Sequence, residues 1–206
     1  MDCWTFFEIA LAFARMLDEP QTDWTPGTLL HYVELDRYRD GECTGDYLSR
    51  LHYLEDWLYD NNRRGLVEDL TRSLGGVNVP HSAREMTHGW RNYRYLASNP
   101  RLLRPLAQME ARVSSRALYE IPKARVGSIE TQLRSGDIIG IVSRDGGSLR
   151  ATSHVGLAIR SSDGTLHFMH ASSPRNYGRV VIDDRLSRYL YRYGADTGIL
   201  VARPLR

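Results

Sequence analysis

Apolar residues recur at helical spacing through the first part of the chain and gather into short continuous or alternating runs in the last third. From Cys3 to Leu17, the residues Phe6, Ala10, Phe13 and Leu17 fall at steps of 4, 3 and 4, which predicts a helix with one apolar stripe. Thr25-Pro26 is a cap and first-turn pair, so a second helix is expected toward Tyr38, presenting Leu29, Leu30 and Val33. Asp46 caps a third, in which Tyr47, Leu51, Leu54 and Leu58 repeat as far as Asn61-Asn62 and Gly65. Ser73 to Ser82, with its two glycines and a proline, reads as a loop. Further helices are expected from about Arg84 to Leu96 and from Asn99-Pro100 onward.

After Tyr119 the pattern changes. Asp137 to Ser143 predicts a strand that ends in a turn over Arg144–Gly147. His154–Arg160 and Thr165–Ala171 flank Ser161–Gly164 as a β-hairpin, Arg179–Asp183 and Gly198–Arg203 read as strands, and Asp184–Tyr193 as a short helix. Helices first and a mostly antiparallel sheet second is an α+β pattern. One domain over 1–206 is expected, with a mainly helical part over 1–118 and the sheet over 119–206.

Composition narrows the function classes. The chain has 206 residues, 42% hydrophobic and 25% charged, which describes an ordinary globular domain. No apolar stretch reaches the roughly 18 residues of a membrane span. The net charge is +2, and basic side chains are interspersed with acidic ones rather than gathered in a stripe, so no nucleic-acid partner is expected. Met1-Asp2-Cys3 shows no basic and apolar leader and opens directly on a helix start, so an upstream segment is expected to have been lost.

Cys3 falls in the first turn of its helix with Asp2 as the cap, where free N–H groups and the positive dipole end favour a thiolate. Cys43 lies in an Asp-Gly-Glu-Cys-Thr-Gly turn and is expected to be free, since a disulfide to Cys3 would block that thiol. Of the seven histidines, His154 and His170 stand at the ends of the hairpin, on adjacent strands. His81 and His88 lack acidic partners at ligand spacing, so neither a metal nor another cofactor is expected. Asp36, Arg37 and Asp40 read as a solvated face.

Asp2-Cys3-Trp4-Thr5-Phe6, Gly136-Asp137 opening a strand, His154-Val155-Gly156 and His170-Ala171-Ser172, in that order, resemble the NlpC-type papain-like cysteine peptidases of bacterial cell walls. Arg50-Leu-His-Tyr-Leu-Glu-Asp-Trp57 and Thr197-Gly-Ile-Leu-Val-Ala-Arg-Pro204 are similar to the N-acetylmuramoyl-L-alanine amidase-like branch. The resemblance implies a papain-like fold, Cys3 as nucleophile, His154 as general base and His170 as its orienter. It implies hydrolysis of an amide in peptidoglycan or a muropeptide by a periplasmic or otherwise exported monomer.

One departure concerns which bond is cut. Endopeptidase members that cut between D-Glu and the diamino acid carry DCSGF, whose Asp and Ser hold a free peptide amine. Trp4-Thr5 replaces Ser-Gly here, which favours the bond between the muramyl lactyl group and L-Ala. The alternatives are that endopeptidase activity and an inactive wall-binding module. Asp2, Trp4, Arg50, Tyr53 and Trp57 are the candidate substrate contacts, the last three as neighbours on one helix, with the aromatic pair against sugar and the arginine against a stem-peptide carboxylate.

The hairpin also offers a test independent of family. A four-residue loop would put His167 on the face of His154, whereas an odd loop puts His170 there. The resemblance favours His170 and so implies the odd register or a bulge, with the two imidazoles directly cross-strand and His167 facing away.

Overall fold

The computed structural model describes residues 2–144 and 146–205; Met1, and Asp145 of the predicted 144–147 turn, lie outside them. Helix α1 (Cys3–Leu17) starts where Asp2 Oδ1 accepts the Thr5 N–H at 2.7 Å. Helix α2 (Pro26–Arg37) is capped by Thr25 Oγ1, which accepts the Thr28 N–H. After α3 (Leu54–Arg63) come the short strands β1 (Val67–Asp69) and β2 (Val77–Val79). The helical insert follows as α4 (Glu85–His88), α5 (Arg94–Ser98) and α6 (Leu103–Ser114). Strand β3 (Leu118–Pro122) leads through α7 (Lys123–Ile129) into β4 (Ile138–Arg144), β5 (Arg150–Arg160), β6 (Leu166–Ala171) and β7 (Val180–Arg185). Helix α8 (Leu186–Tyr189) and β8 (Asp196–Pro204) complete the described chain.

The strands form an antiparallel sheet in the order β2-β3-β8-β4-β5-β6-β7, with β1 also on β8. The chain is α+β. One face is covered by α1 and α3, which bury Phe7, Leu11, Leu54 and Trp57 against Val155, Leu157 and Leu200. On the other face, α7 and α8 bury Val126, Ile129, Leu186 and Tyr189 against Ile139, Ala158 and Phe168. The insert has a small core of its own around Tyr53, Leu96, Leu106 and Met109. The Gly136-Asp137 step is a clamp rather than a site. Asp137 is buried and accepts Arg203 Nε and Nη2, both at 2.8 Å, tying the start of β4 to the end of β8.

Several expectations are corrected. The buried stripe of α1 is Phe7, Leu11 and Met16, while Phe13 and Leu17 are exposed. Nearly every position of α1 is apolar, so two stripes a residue apart fit the period equally well. The helix expected from Asp46 is broken: Asp46 caps only a 3₁₀ turn over Tyr47–Ser49, and Arg50 and Tyr53 have extended backbone before α3 begins. An isolated bridge between Tyr38 and Arg50, with the Leu51 N–H donated to Arg37 O, pulls this stretch straight. The helix expected over 84–96 is divided at Gly89, the C-cap of α4. Residues 77–79, expected in a loop, pair with β3.

Asp36 and Arg37 are not a solvated face. Asp36 is fully buried and receives Arg15 Nε at 3.1 Å, and Arg37 donates to the buried Glu8 at 2.8 Å. Arg15 further donates to Leu205 O and Leu66 O, so one guanidinium joins α1 to α2, to the approach of β1 and to the end of β8. Asp40 is exposed and pairs with Arg63.

Burial pushes the Asp36 carboxyl above its usual range against the pull of Arg15. Arg15→Met should therefore cost about 3–5 kcal/mol of stability at neutral pH, by leaving a buried carboxylate unpaired. Without Arg15 the folded state binds the Asp36 proton more tightly still than the unfolded chain does. Linkage then makes the deficit shrink as pH falls through the folded pKa and grow as it rises. Urea unfolding of both proteins at pH 7 and pH 5 checks the size and the sign.

Candidate active site

The first turn of α1, the 47–54 segment, α4 and the start of β5 enclose a cleft of about 530 Å³. Asp2, Cys3, Trp4, Arg50, Tyr53 and His154 all line it. Trp57 does not: it is 0% exposed and packs edge-on against Phe7 at 5.1 Å between ring centroids, a core residue. With the helix broken before residue 54, Arg50, Tyr53 and Trp57 are not helical neighbours, which is the physical reason for that correction.

The two histidines meet. His154 Nε2 and His170 Nδ1 are 2.8 Å apart with the rings nearly perpendicular. The hairpin has the odd register, pairing Arg160 with Leu166 and Leu157 with Met169, so residues 161–165 make the connection. His154 and His170 share a face, and His167 lies on the other, its Nδ1 bonded to Asp183 O at 2.9 Å. The expected direct opposition is corrected to a diagonal one. Carried one step further, the register sets Gly156 opposite His170, two residues from His154. A Cβ on Gly156 would lie 2.9 Å from His170 Cβ and 2.4 Å from Met169 O, so the missing side chain is what admits the diagonal contact. On its far side His154 adjoins a β-bulge, where Ile141 pairs with His154 but Val142 with Thr152.

His170 is 3% exposed, stacked on Phe168 at 4.8 Å and flanked by Tyr189. Its Nε2 lies 3.4 Å from Asp183 Oδ2. Asp183 Oδ1 receives Arg192 Nη1 and the Asp184 N–H, each at 2.7 Å. Burial would raise this carboxyl, but the Asp184 N–H, His170 and Arg192 together hold it below its usual range.

The electrostatics of Cys3 differ from the sequence expectation. Burial pushes its thiol above the ordinary value, outweighing the N–H groups of Val155, Trp4 and Cys3 itself that favour a thiolate. His154 is lowered to about 4, by burial first and by His170 second. Both shifts favour the uncharged forms near neutral pH, a thiol and an imidazole lining the same cleft.

The remaining walls combine the expected Tyr53, Arg50 and Asp2 with groups the sequence left unmarked. Tyr53 Oη donates to Glu110 at 2.6 Å and accepts the Met86 N–H, so only its ring face is available to the cleft. Arg50 Nε is buried without a hydrogen-bond partner among the described residues. Asp2 is raised by burial but held low overall by Thr5 and by nearby Arg50. His52, lowered to about 4 by burial, is bonded to Tyr47 O. Tyr47, Glu85 and Tyr93 also line the cleft, and no periodicity in the sequence distinguishes them from packing residues. Among the described residues no group of three or more His, Cys, Asp or Glu side chains is placed to share a metal ion, and Cys3 and Cys43 are both free.

A family model for AmiA-like, N-acetylmuramoyl-L-alanine amidase-like proteins matches residues 1–196. The chain belongs to that family. Among solved structures, an N-acetylmuramoyl-L-alanine amidase from Bacteroides uniformis is 28% identical, aligned over 100% of this chain and 85% of its own, with a TM-score of 0.89. A Bacteroides fragilis protein described as a candidate xylanase is 33% identical over 98% of this chain and 86% of its own, with a TM-score of 0.84. A Legionella pneumophila protein at 22% identity and a TM-score of 0.69 shares the fold. No curated protein is similar enough to match.

Two results are expected. Gly156→Ala should cost about 1–3 kcal/mol in urea unfolding, because the new Cβ overpacks the hairpin. It should also separate the ring nitrogens, seen as loss of the shared proton signal in NMR. Iodoacetamide should label Cys3 with a pH midpoint above the ordinary thiol value; a midpoint below 7 would reveal a thiolate–imidazolium pair instead.

Proposed function

We propose that the protein is a cysteine amidohydrolase with an NlpC-type, papain-like arrangement, acting on the N-acetylmuramoyl-L-alanine bond of muropeptides. The observation that carries this reading is the juxtaposition of Cys3, at a helix N-terminus, with His154 in one cleft, His154 being hydrogen-bonded at 2.8 Å to His170, in a chain of the amidase-like family. His154 uses Nε2 toward His170, which leaves Nδ1 for the thiol. Cys3 passes its proton to that nitrogen as Sγ attacks the carbonyl carbon, and the imidazolium returns the proton to the leaving amine nitrogen of L-Ala. Water then cleaves the thioester by the same path, releasing the lactyl carboxylate. Main-chain N–H groups at the start of α1 stabilise the oxyanion.

The choice of bond is supported by the use made of Asp2. Its Oδ1 takes the Thr5 N–H in capping α1, and Trp4-Thr5 supplies no serine to help hold a substrate amine. A substrate whose L-Ala amine is already acylated by the sugar's lactyl group asks for no such pocket. Arg50, with its unpartnered Nε, is suited to a stem-peptide carboxylate, and the rings of Trp4 and Tyr53 to the apolar face of the sugar or peptide. A xylan-cleaving reading fits less well, since glycosidases need a protonated carboxyl beside a second carboxylate, and Asp2 is held below its usual range. Peptidoglycan lies outside the inner membrane, so we place the protein in the periplasm or another exported location. No described helix is long and apolar enough to cross a membrane.

Mass spectrometry of a sugar-bearing muropeptide after digestion should show an intact stem peptide. An L-Ala–D-Glu dipeptide released from a free stem peptide would favour the endopeptidase reading. Cys3→Ser should abolish turnover with the fold retained, a chelator should leave the rate unchanged, and His170→Ala should lower the rate far more than His167→Ala.

A further inference from the structure

Strand β7 carries the next member of the same hydrogen-bonded row. The β6–β7 register pairs His170 with Val181 and Met169 with Ile182, then shifts so that His167 pairs with Arg185. Phe168 is thus faced by a bulge containing Asp183 and Asp184, and Asp183, two residues beyond Val181, lies on the face of His170, diagonal to it. His154, His170 and Asp183 therefore descend across three neighbouring strands, each two residues off direct opposition to the last.

The chemistry of this row has one consistent proton assignment. An ionised carboxylate only accepts, so His170 Nε2 carries a proton toward Asp183 Oδ2 and His170 Nδ1 is a lone pair. His154 Nε2 must then carry the proton in the 2.8 Å contact, and His154 Nδ1 is a lone pair. We infer that Asp183 is a positioning residue which, through His170, fixes His154 in the tautomer able to accept the Cys3 proton. Asp183 neither touches substrate nor takes up a proton. In the chemical step one proton moves, from Cys3 Sγ to His154 Nδ1, and the two hydrogen bonds behind it strengthen as the imidazolium forms.

Three features of the surroundings suit the role. Arg192 and the Asp184 N–H hold Asp183 Oδ1, so the carboxylate stays ionised and cannot rotate without losing both. Phe168 and Tyr189 confine the His170 ring. A polar cavity of about 300 Å³ lined by His170, Asp183 and Arg192 lies outside the substrate cleft, so the effect does not depend on substrate contact.

The inference rests on the cysteine hydrolase reading, and the test separates the two. In Asp183→Asn the amide can donate to His170 Nε2, which reverses both hydrogen bonds and places N–H, rather than a lone pair, toward Cys3. In serine hydrolases the corresponding amide costs roughly 10⁴-fold in kcat through the wrong tautomer. Acting here through one more ring, it should lower kcat by at least about 100-fold with KM changed less than about threefold. Glu68→Gln, which removes an exposed carboxylate on β1 at the other side of the sheet, should stay within about twofold. Ring ¹⁵N shifts should show His154 protonated at Nε2 in the unaltered protein and at Nδ1 in Asp183→Asn. Equal kcat in the two variants, or His154 protonated at Nδ1 in the unaltered protein, would overturn the inference, and the second measurement needs no variant to fold. Turnover surviving in Cys3→Ser would instead overturn the hydrolase reading, while the ¹⁵N shifts decide the role of Asp183 either way.

Discussion

The position of α1 rests on two reciprocal ion pairs with the end of α2, and the site depends on that position. Arg15 on α1 meets Asp36 on α2, and Arg37 on α2 meets Glu8 on α1, with both carboxylates fully buried. Apolar packing alone would leave the axial position of α1 loosely defined, since almost any rotation of so apolar a helix buries something. A charge in low dielectric tolerates no such freedom, because slipping by one turn would strand both carboxylates without partners. Arg15 extends the constraint to Leu66 O and Leu205 O, so residues far apart in the chain agree on where the helix sits. Cys3 inherits its place against Val155 from these contacts, with Phe7 held between Trp4 and Trp57.

The strands of the last third and the first helix were legible because a single local signal dominated each: β-rich runs bounded by glycine and serine turns, and an apolar period behind a capping aspartate. The segment 46–61 was not. Tyr47, Leu51, Leu54 and Leu58 do repeat at helical spacing, yet the bridge from Tyr38 to Arg50 competes for the same backbone and wins until Leu54. The short strands β1 and β2 carry three residues each and are defined by their partners β8 and β3, which no local pattern reveals.

At the site, which residues come together was more legible than how they are offset. The resemblance selected His170, whereas the loop read as Ser161–Gly164 would by parity have selected His167; the connection is one residue longer, 161–165. Parity fixes faces but not offset, and the diagonal contact depends on the absent side chain of Gly156. Asp183 was hidden for a related reason. Alternation along Val180-Val-Ile-Asp-Asp184 puts Val181 and Asp183 on one face, but only the β6–β7 register, set across the 172–179 connection, shows that this face is the one His170 occupies. Bulges flank the row of histidines on both sides, where β5 meets β4 and where β7 meets β6.

On the proposed cysteine mechanism, a thiol whose pKa is raised by burial explains why such a row is useful. A helix N-terminus supplies about 0.3–1 kcal/mol toward an anion in its first turn, whereas burying a charge can shift a pKa by up to about 3–5 units. At Cys3 burial prevails, and the thiol is raised. A nucleophile that does not rest as a thiolate must lose its proton during attack, so its rate depends on a correctly protonated base being present at that moment. Neutral imidazole has two tautomers of similar energy, and only the one with a lone pair toward sulfur can serve. Desolvation keeps His154 uncharged but does not choose between them. The choice has to come from a group whose own hydrogen-bonding sense is fixed, and behind His170 the ionised carboxylate of Asp183 is such a group.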